Sequence, residues 1–435
     1  LDNEDNKGYR YLGMLEGVDF HIREVKEMTK KEYISRVRKI LKADMIGEYT
    51  MQAICAFALP VLRYTFGIMK WMQGELRKLD VKTRKMLTMK GIHHPKGNVH
   101  CLYLHRSKGG RGLTGVEDTH NCECAALAKY VIHSDDPLTQ MVQNTPTPTQ
   151  KFLLKYAAAP KFTTPDMTDD NHHKGLCEKP LHGKFFCQQA EIPQVDIKQS
   201  HLWLHRAQLW PETEAAICAA QEQTMVTNQI RKEIFKQDVD PLCRLCRKEK
   251  ESISHIVSGC EMLAGTKYTE KHNKICQYLH WCILQDFHIP VNANWRKHKP
   301  KPAVLILNQV SVTYDLKQEV DIAVEANMPD IVVLDEKEGR ALIIDVTIPM
   351  DINMVKTAAG KYKKYRDLEI ATKKQYHLKK VHTIPVVVGA LGTICQNLDG
   401  LLAKVSPCAN LDLIQKEVLL GSAHILRHTL TDLVT

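Results

Sequence analysis

Four residues near the middle of the chain have the types and spacing of a metal site: Cys243, Cys246, His255 and Cys260, in the pattern Cys-x2-Cys-x8-His-x4-Cys. Thiolates and imidazole are soft or borderline donors, and this order lets a short turn and a helix close tetrahedrally around Zn2+. Asp240-Pro241 precedes the first pair, as suits a turn, and His255 and Cys260 fall on neighbouring turns of one helix. Four protein ligands leave no open position, so the ion would organise the fold and not hydrolyse anything. The competing reading is of buried free thiols, a common state of cysteine. Arg247, Lys248 and Lys250 in the loop, with Lys267, Lys271 and Lys274 after it, make the module a small basic grip on nucleic acid, while Tyr278 and Trp281 read as packing residues.

A second constellation follows Pro300, where the pattern turns to strands: 303–307, 310–314, 331–335, a turn over 336–340, and 341–348. Folding that hairpin about Lys337 to Gly339 sets Asp330 opposite or diagonal to Asp345, with Cβ atoms on the order of 5 to 8 Å apart. Two carboxylates that meet inside an apolar sheet repel unless a cation sits between them, and oxygen donors favour Mg2+ or Mn2+. From 353 to 368 the spacing is helical, and Lys361, Lys364, Tyr365 and Leu368 share a face, so that Lys361 points back towards the carboxylates. Asp330 and Asp345 would hold the catalytic metal, Lys361 would position the nucleophile, and Tyr365 would orient the lysine or a phosphate. The competing reading has Asp330 capping a strand, Asp345 in a buried hydrogen bond and the lysines on a solvated face. Against it stands the setting of Asp345 in Leu342-Ile343-Ile344-Asp345-Val346, where an unpartnered charge is very costly. A buried strand over 384–389 and the segment 393–402 close this domain. The pattern Pro329-Asp330 … Asp345-x-Thr347 resembles the PD-(D/E)xK nuclease core, with threonine where that core usually has lysine.

The elements that must position these groups form a long, mixed chain. At 435 residues it has room for two or three domains, and a net charge of +10 favours a polyanionic partner. The 14 cysteines show no short disulfide framework, which fits a reducing compartment. The most apolar window, 51–71, is broken by Pro60, Arg63 and Lys70, short of the roughly 18 uncharged residues of a membrane span, so no membrane partner is expected. It reads as a pair of core helices interrupted at Pro60, within a helical region over 29–87. The loop Ser107-Lys108-Gly109-Gly110-Arg111-Gly112 lacks the ending of a phosphate loop and reads as a solvated turn against a nucleic-acid backbone. Between 135 and 200, prolines and the run Asp169-Asp170-Asn171-His172-His173 suggest an irregular linker with solvated histidines. Leu1 opens the chain inside what reads as a turn-to-strand segment, 7–13, which suggests that a larger protein extends upstream.

In order, these pieces resemble the C-terminal half of non-LTR retrotransposon proteins of the restriction-like-endonuclease class. The resemblance rests on Tyr11-Leu12-Gly13, on Ala58 to Tyr64, on Gly109-Gly110-Arg111-Gly112-Leu113, on the four zinc ligands, and on Pro329-Asp330 with Asp345, Lys361 and Tyr365. In that family the lysine of the nuclease core is displaced to the helix, which agrees with Thr347 and Lys361. The resemblance implies a multidomain chain: palm end and α-helical thumb over 1–130, irregular linker over 131–200, helical linker with a small CCHC zinc knuckle over 201–290, α/β PD-(D/E)xK restriction-like nuclease over 300–410, and a helical tail over 411–435. It implies a Mg2+-dependent DNA endonuclease in the nucleus, nicking target DNA so that element RNA can be reverse transcribed from the exposed end. No Tyr-x-Asp-Asp motif occurs, so no polymerase activity is expected of this chain. Met328 and Gly360 depart from the family habit of a basic residue before Pro-Asp and an acidic one before the helix lysine. The alternatives are an inactive remnant that only binds RNA or DNA, and a cellular zinc protein within a protein complex.

Overall fold

Seven strands form two sheets in the computed structural model, which describes residues 9–11, 14–16, 22–67, 69–146, 148–158 and 164–430. Leu1, residues 7–8, Leu12 and Gly13, used in the reading above, lie outside the described residues, as do 431–435 of the expected tail. Strands β1 (Tyr9–Tyr11) and β2 (Met14–Glu16) pair antiparallel. The larger sheet has the order β3 (Ala303–Leu307), β4 (Val310–Tyr314), β5 (Ile331–Asp335), β6 (Arg340–Thr347), β7 (Lys380–Val387), antiparallel except for the parallel pair β6 and β7. The chain divides into two units: residues 1–180 with 208–215, and residues 181–207 with 216–435.

In the first unit, helices Ile22–Ile40, Leu59–Phe66, Gln73–Met89 and Val116–His133 surround a core that includes Tyr33, Val37, Leu62, Phe66, Leu76 and Leu87. Pro60 does not interrupt this packing. It follows a π-helical turn at Ile54–Ala58, and the chain stays helical from Gly47 to Phe66, so the proline is accommodated beside the widened turn instead of ending the helix.

Two expectations fail here for identifiable reasons. The glycine-rich loop is not a solvated turn: Arg106 and Arg111 are buried, and both guanidinium groups grip the buried carboxylate of Glu214. A Cβ on Gly110 would lie 2.0 Å from the carbonyl oxygen of Leu104, so the glycine serves close backbone packing. The segment expected as irregular holds helices Pro137–Asn144, Pro148–Ala157, Pro165–Cys177, Lys184–Glu191 and Ile197–His201. Pro137, Pro148 and Pro165 open their helices, and Asp136 and Thr164 cap the N–H groups of Thr139 and Met167, so residues that read as breakers are starters. His172 is also not simply solvated, since its ring meets Asp118 at 3.1 Å and His100 at 3.1 Å, whereas His173 is exposed.

In the second unit the sheet is covered on both faces. Ile331, Val333, Leu342 and Ile344 share a core with helices Thr269–Asp286, Leu398–Val405 and Leu411–Leu430. Ile343, on the opposite face of β6, packs with Tyr365 and Leu368 from helices Met354–Lys364 and Arg366–Gln375 and the turn between them. The parallel pair β6 and β7 needs such a crossover, and both strands are buried along most of their length. This core spans the boundaries expected near 290 and 410, because a sheet buried on two faces needs helices from outside the strand region.

Burial opposes a charged Glu214, yet Arg111 and Arg106 hold its carboxyl below the usual range. Glu214→Ala would strand two buried guanidinium groups, and a loss of about 3–5 kcal/mol is expected in urea denaturation monitored on the first unit.

Candidate functional site

The four expected zinc ligands come together from a turn, the helix Ile253–Ser258 and the extended residue Cys260; Cys260 does not share the helix of His255 as expected, because that helix ends at Gly259. Arg247 adopts φ 57° just after Cys246, its N–H donates to the Cys243 carbonyl, and Cys243 N–H donates to Glu249, which closes the turn. Ser252 caps helix Ile253–Ser258 and so fixes His255. Cys243 Sγ lies 3.9 Å from Cys260 Sγ, and Cys246 Sγ lies 3.3 Å from His255 Nε2. All four ligand atoms fall within 4.8 Å of one another. Bond lengths of about 2.3 Å to sulfur and 2.0 Å to nitrogen separate the ligands of a tetrahedral zinc ion by roughly 3.5–3.8 Å, so this cluster is able to hold such an ion. The other ring nitrogen, Nδ1, meets Glu249 at 3.1 Å, the carboxylate support that orients a metal-binding imidazole. Backbone N–H groups of Lys248 and Glu249 draw the Cys246 thiol down to about 6.

The module is fastened to the second unit's core. Arg244 binds the buried Glu251 and also the Thr429 carbonyl. Lys271, expected on the basic surface, is instead buried and donates to Val257 O and Ser422 Oγ; burial lowers it to about 8. It bridges helices that pack too closely for its amine to reach solvent. Lys248, Lys250 and Lys267 are paired with Glu261, Glu233 and Glu270 on the surface. Tyr278 and Trp281 are packing residues, with the Tyr278 hydroxyl on the Cys408 carbonyl.

The hairpin register pairs Ile331 with Ile344, and its continuation by one residue sets Asp330 against Asp345. Asp315 N–H donates to the Asp330 carbonyl, so the sheet's bonding extends through that residue. Asp345 has a side chain only 5% exposed, and three donors converge on it: Lys361 Nζ at 2.7 Å from Oδ2, the Tyr365 hydroxyl at 2.6 Å from Oδ1, and Thr347 Oγ1 at 3.1 Å from Oδ2. Lys364 Nζ donates to the Tyr365 hydroxyl at 2.8 Å. Burial and the Asp345 charge both push the Tyr365 hydroxyl up, so it remains a donor. Asp330 accepts the Val346 N–H at 2.6 Å through Oδ2, a strand-end cap, and the same oxygen meets His272 Nε2 at 3.2 Å.

Asp330, Asp345, Lys361 and Tyr365 therefore gather at one end of β5 and β6. The donor set suits a small hard cation in part: two carboxylates are present, although Asp345 already carries an amine and a hydroxyl. Thr347, two residues further along β6, lies on the same face as Asp345 and donates to it. His272 and Cys276 are partners that the sequence reading missed. Their separation of four residues on a helix was the available signal, obscured by reading that helix as a basic surface. Burial works against a charged His272, but the hydrogen bond and charge of Asp330 outweigh it and lift the imidazole to about 9. No protein-family model matches the chain, and no curated protein matches its sequence.

His255→Ala is expected to cost the chain one tightly held zinc ion and to lower its thermal midpoint, read by metal analysis and calorimetry. Unchanged zinc content would remove the knuckle assignment.

Proposed function

We propose that the second unit is a divalent-metal-dependent DNA endonuclease with an attached zinc knuckle, from a non-LTR retrotransposon protein acting in the nucleus on target DNA and its own RNA. The observation that carries this reading is the convergence of Lys361 and Tyr365 on Asp345, with Asp330 across the hairpin. An ion bound by Asp330 and Asp345, Mg2+ or Mn2+ by their oxygen chemistry, would supply positive charge to the scissile phosphate and acidify the attacking water. Lys361, largely withdrawn from solvent on its flexible stem, would be able to turn from Asp345 to the phosphate or the nucleophile once an ion neutralised that carboxylate. Tyr365 keeps Asp345 oriented throughout, with its hydroxyl also anchored on the Met328 carbonyl. A cleft of about 810 Å³ between the Cys/His module and the 349–357 segment is lined by Lys250, His255, Asn353 and Lys356 together with Glu249.

The nicking of supercoiled plasmid by the full chain with Mg2+ or Mn2+ tests the proposal. Asp345→Asn is expected to abolish nicking and Lys361→Ala to slow it by roughly 10²-fold, while both variants keep the wild-type circular dichroism. Equal cleavage by wild type and Asp345→Asn would overturn it. Salt-sensitive retention of DNA without metal-dependent nicking would favour the alternative of a binding module, whose support here is that Asp330 already caps a strand end.

A further inference from the structure

We propose that His272, Cys276 and Asp330 form a second transition-metal site, built from the helix Thr269–Asp286 and the entry to β5. His272 and Cys276 are one helical turn apart on the same face, and Asp330 meets them where the β5 and β6 ladder ends. His272 Nε2 lies 3.2 Å from Asp330 Oδ2, and Cys276 Sγ lies 3.6 Å from His272 Nε2. One donor atom from each residue falls within 4.8 Å of the others. These separations are close to those of ligands around a tetrahedral ion with bonds of about 2.0–2.3 Å.

The surroundings fit the same purpose. His272 Nδ1 meets Asn273 Oδ1 at 3.1 Å, so that nitrogen keeps its proton, and an ion bound at Nε2 would displace the proton that Nε2 shares with Asp330. Val346 N–H orients the Asp330 carboxylate at 2.6 Å. Cys276 is buried in the apolar core with Ile275 and Leu279. On the other side, a cavity of about 290 Å³ lined by Tyr268, His272, Val346 and Thr347 gives room for a fourth ligand such as water or an anion. A nitrogen, a sulfur and an oxygen donor select zinc or cobalt over magnesium, in contrast to the all-oxygen pair of Asp330 and Asp345. The site shares Asp330 with the proposed nuclease centre but does not depend on hydrolysis.

The test is metal counting on the full chain loaded with zinc and desalted, by native mass spectrometry. Two ions are expected in the wild type, one in His255→Ala, and one in His272→Asn, whose partly exposed side chain makes the substitution mild. Cobalt added to a chain whose knuckle holds zinc should give a thiolate-to-cobalt charge-transfer band that Cys276→Ala removes. A single ion in the wild type, or an equally tight second ion in His272→Asn, would overturn the site. Loss of the second ion in Asp330→Asn but not in His272→Asn would also overturn it, while leaving the two-carboxylate reading intact. Nicking that fails with two ions still bound would count against the nuclease and not against this site.

Discussion

A carboxylate inside a sheet is the constraint around which the second unit is arranged. Asp345 sits among Ile343, Ile344 and Val346, all buried, where an unpaired charge costs several kcal/mol. The strand cannot satisfy it from its own backbone, because the β6 ladder uses those groups for β5 and β7. Compensation comes from the crossover: helix Met354–Lys364 delivers Lys361, and the break at Tyr365, with φ −99° and ψ 7°, turns the phenol inward. Crossover length, helix break and lysine position are thus consequences of one buried charge. Leu368, one turn later, then fills the apolar space beside Ile343.

The knuckle is tied to the same unit by equally specific polar links. Glu251 is wholly buried and takes both the Arg244 guanidinium and the Asn228 N–H, while Arg244 reaches on to Thr429. Lys271 closes the join from below through Val257 and Ser422. A module anchored in this way is joined to helix Leu411–Leu430, which also covers the sheet. Zinc bound by these four ligands would contribute folding free energy, and the polar links would couple it to the sheet's own cover.

Much of this was legible because short-range chemistry determined it. The four strand segments from 303 to 348 end within a residue or so of their expected bounds, since β-branched runs and a Gly339 turn leave few options. The knuckle ligands and the grouping of Asp345 with Lys361 and Tyr365 follow from spacing on a turn, a strand and a helix. What sequence could not give were partners chosen by tertiary packing. Arg106 and Arg111 look solvent-seeking until Glu214, about a hundred positions away, is known to be buried beside them. Lys271 reads as surface charge until the two helices that enclose it are in place. Pro137, Pro148 and Pro165 read as breaks because the same residue that ends a helix also begins one, and only the flanking caps at Asp136 and Thr164 distinguish the cases.

Comparison of the buried carboxylates bears on which of them has a role beyond stability. Glu214 is held by two guanidinium groups, always charged and rigidly planar. Asp351 accepts N–H groups of Leu391 and Thr393, fixed by the backbone, and burial still raises its carboxyl above the ordinary range. Neither arrangement has a component that can leave without exposing another buried group. Asp345 differs in that its ion-pair partners are lysines on flexible stems, Lys361 at 2.7 Å with a side chain 23% exposed and Lys364 at 4.0 Å. Such a partner can be exchanged for another cation at the cost of one rotamer change, with Tyr365 and Thr347 holding the carboxylate in place meanwhile. The carboxylate whose neutralising charge can be replaced is also the one that lies across the hairpin from Asp330.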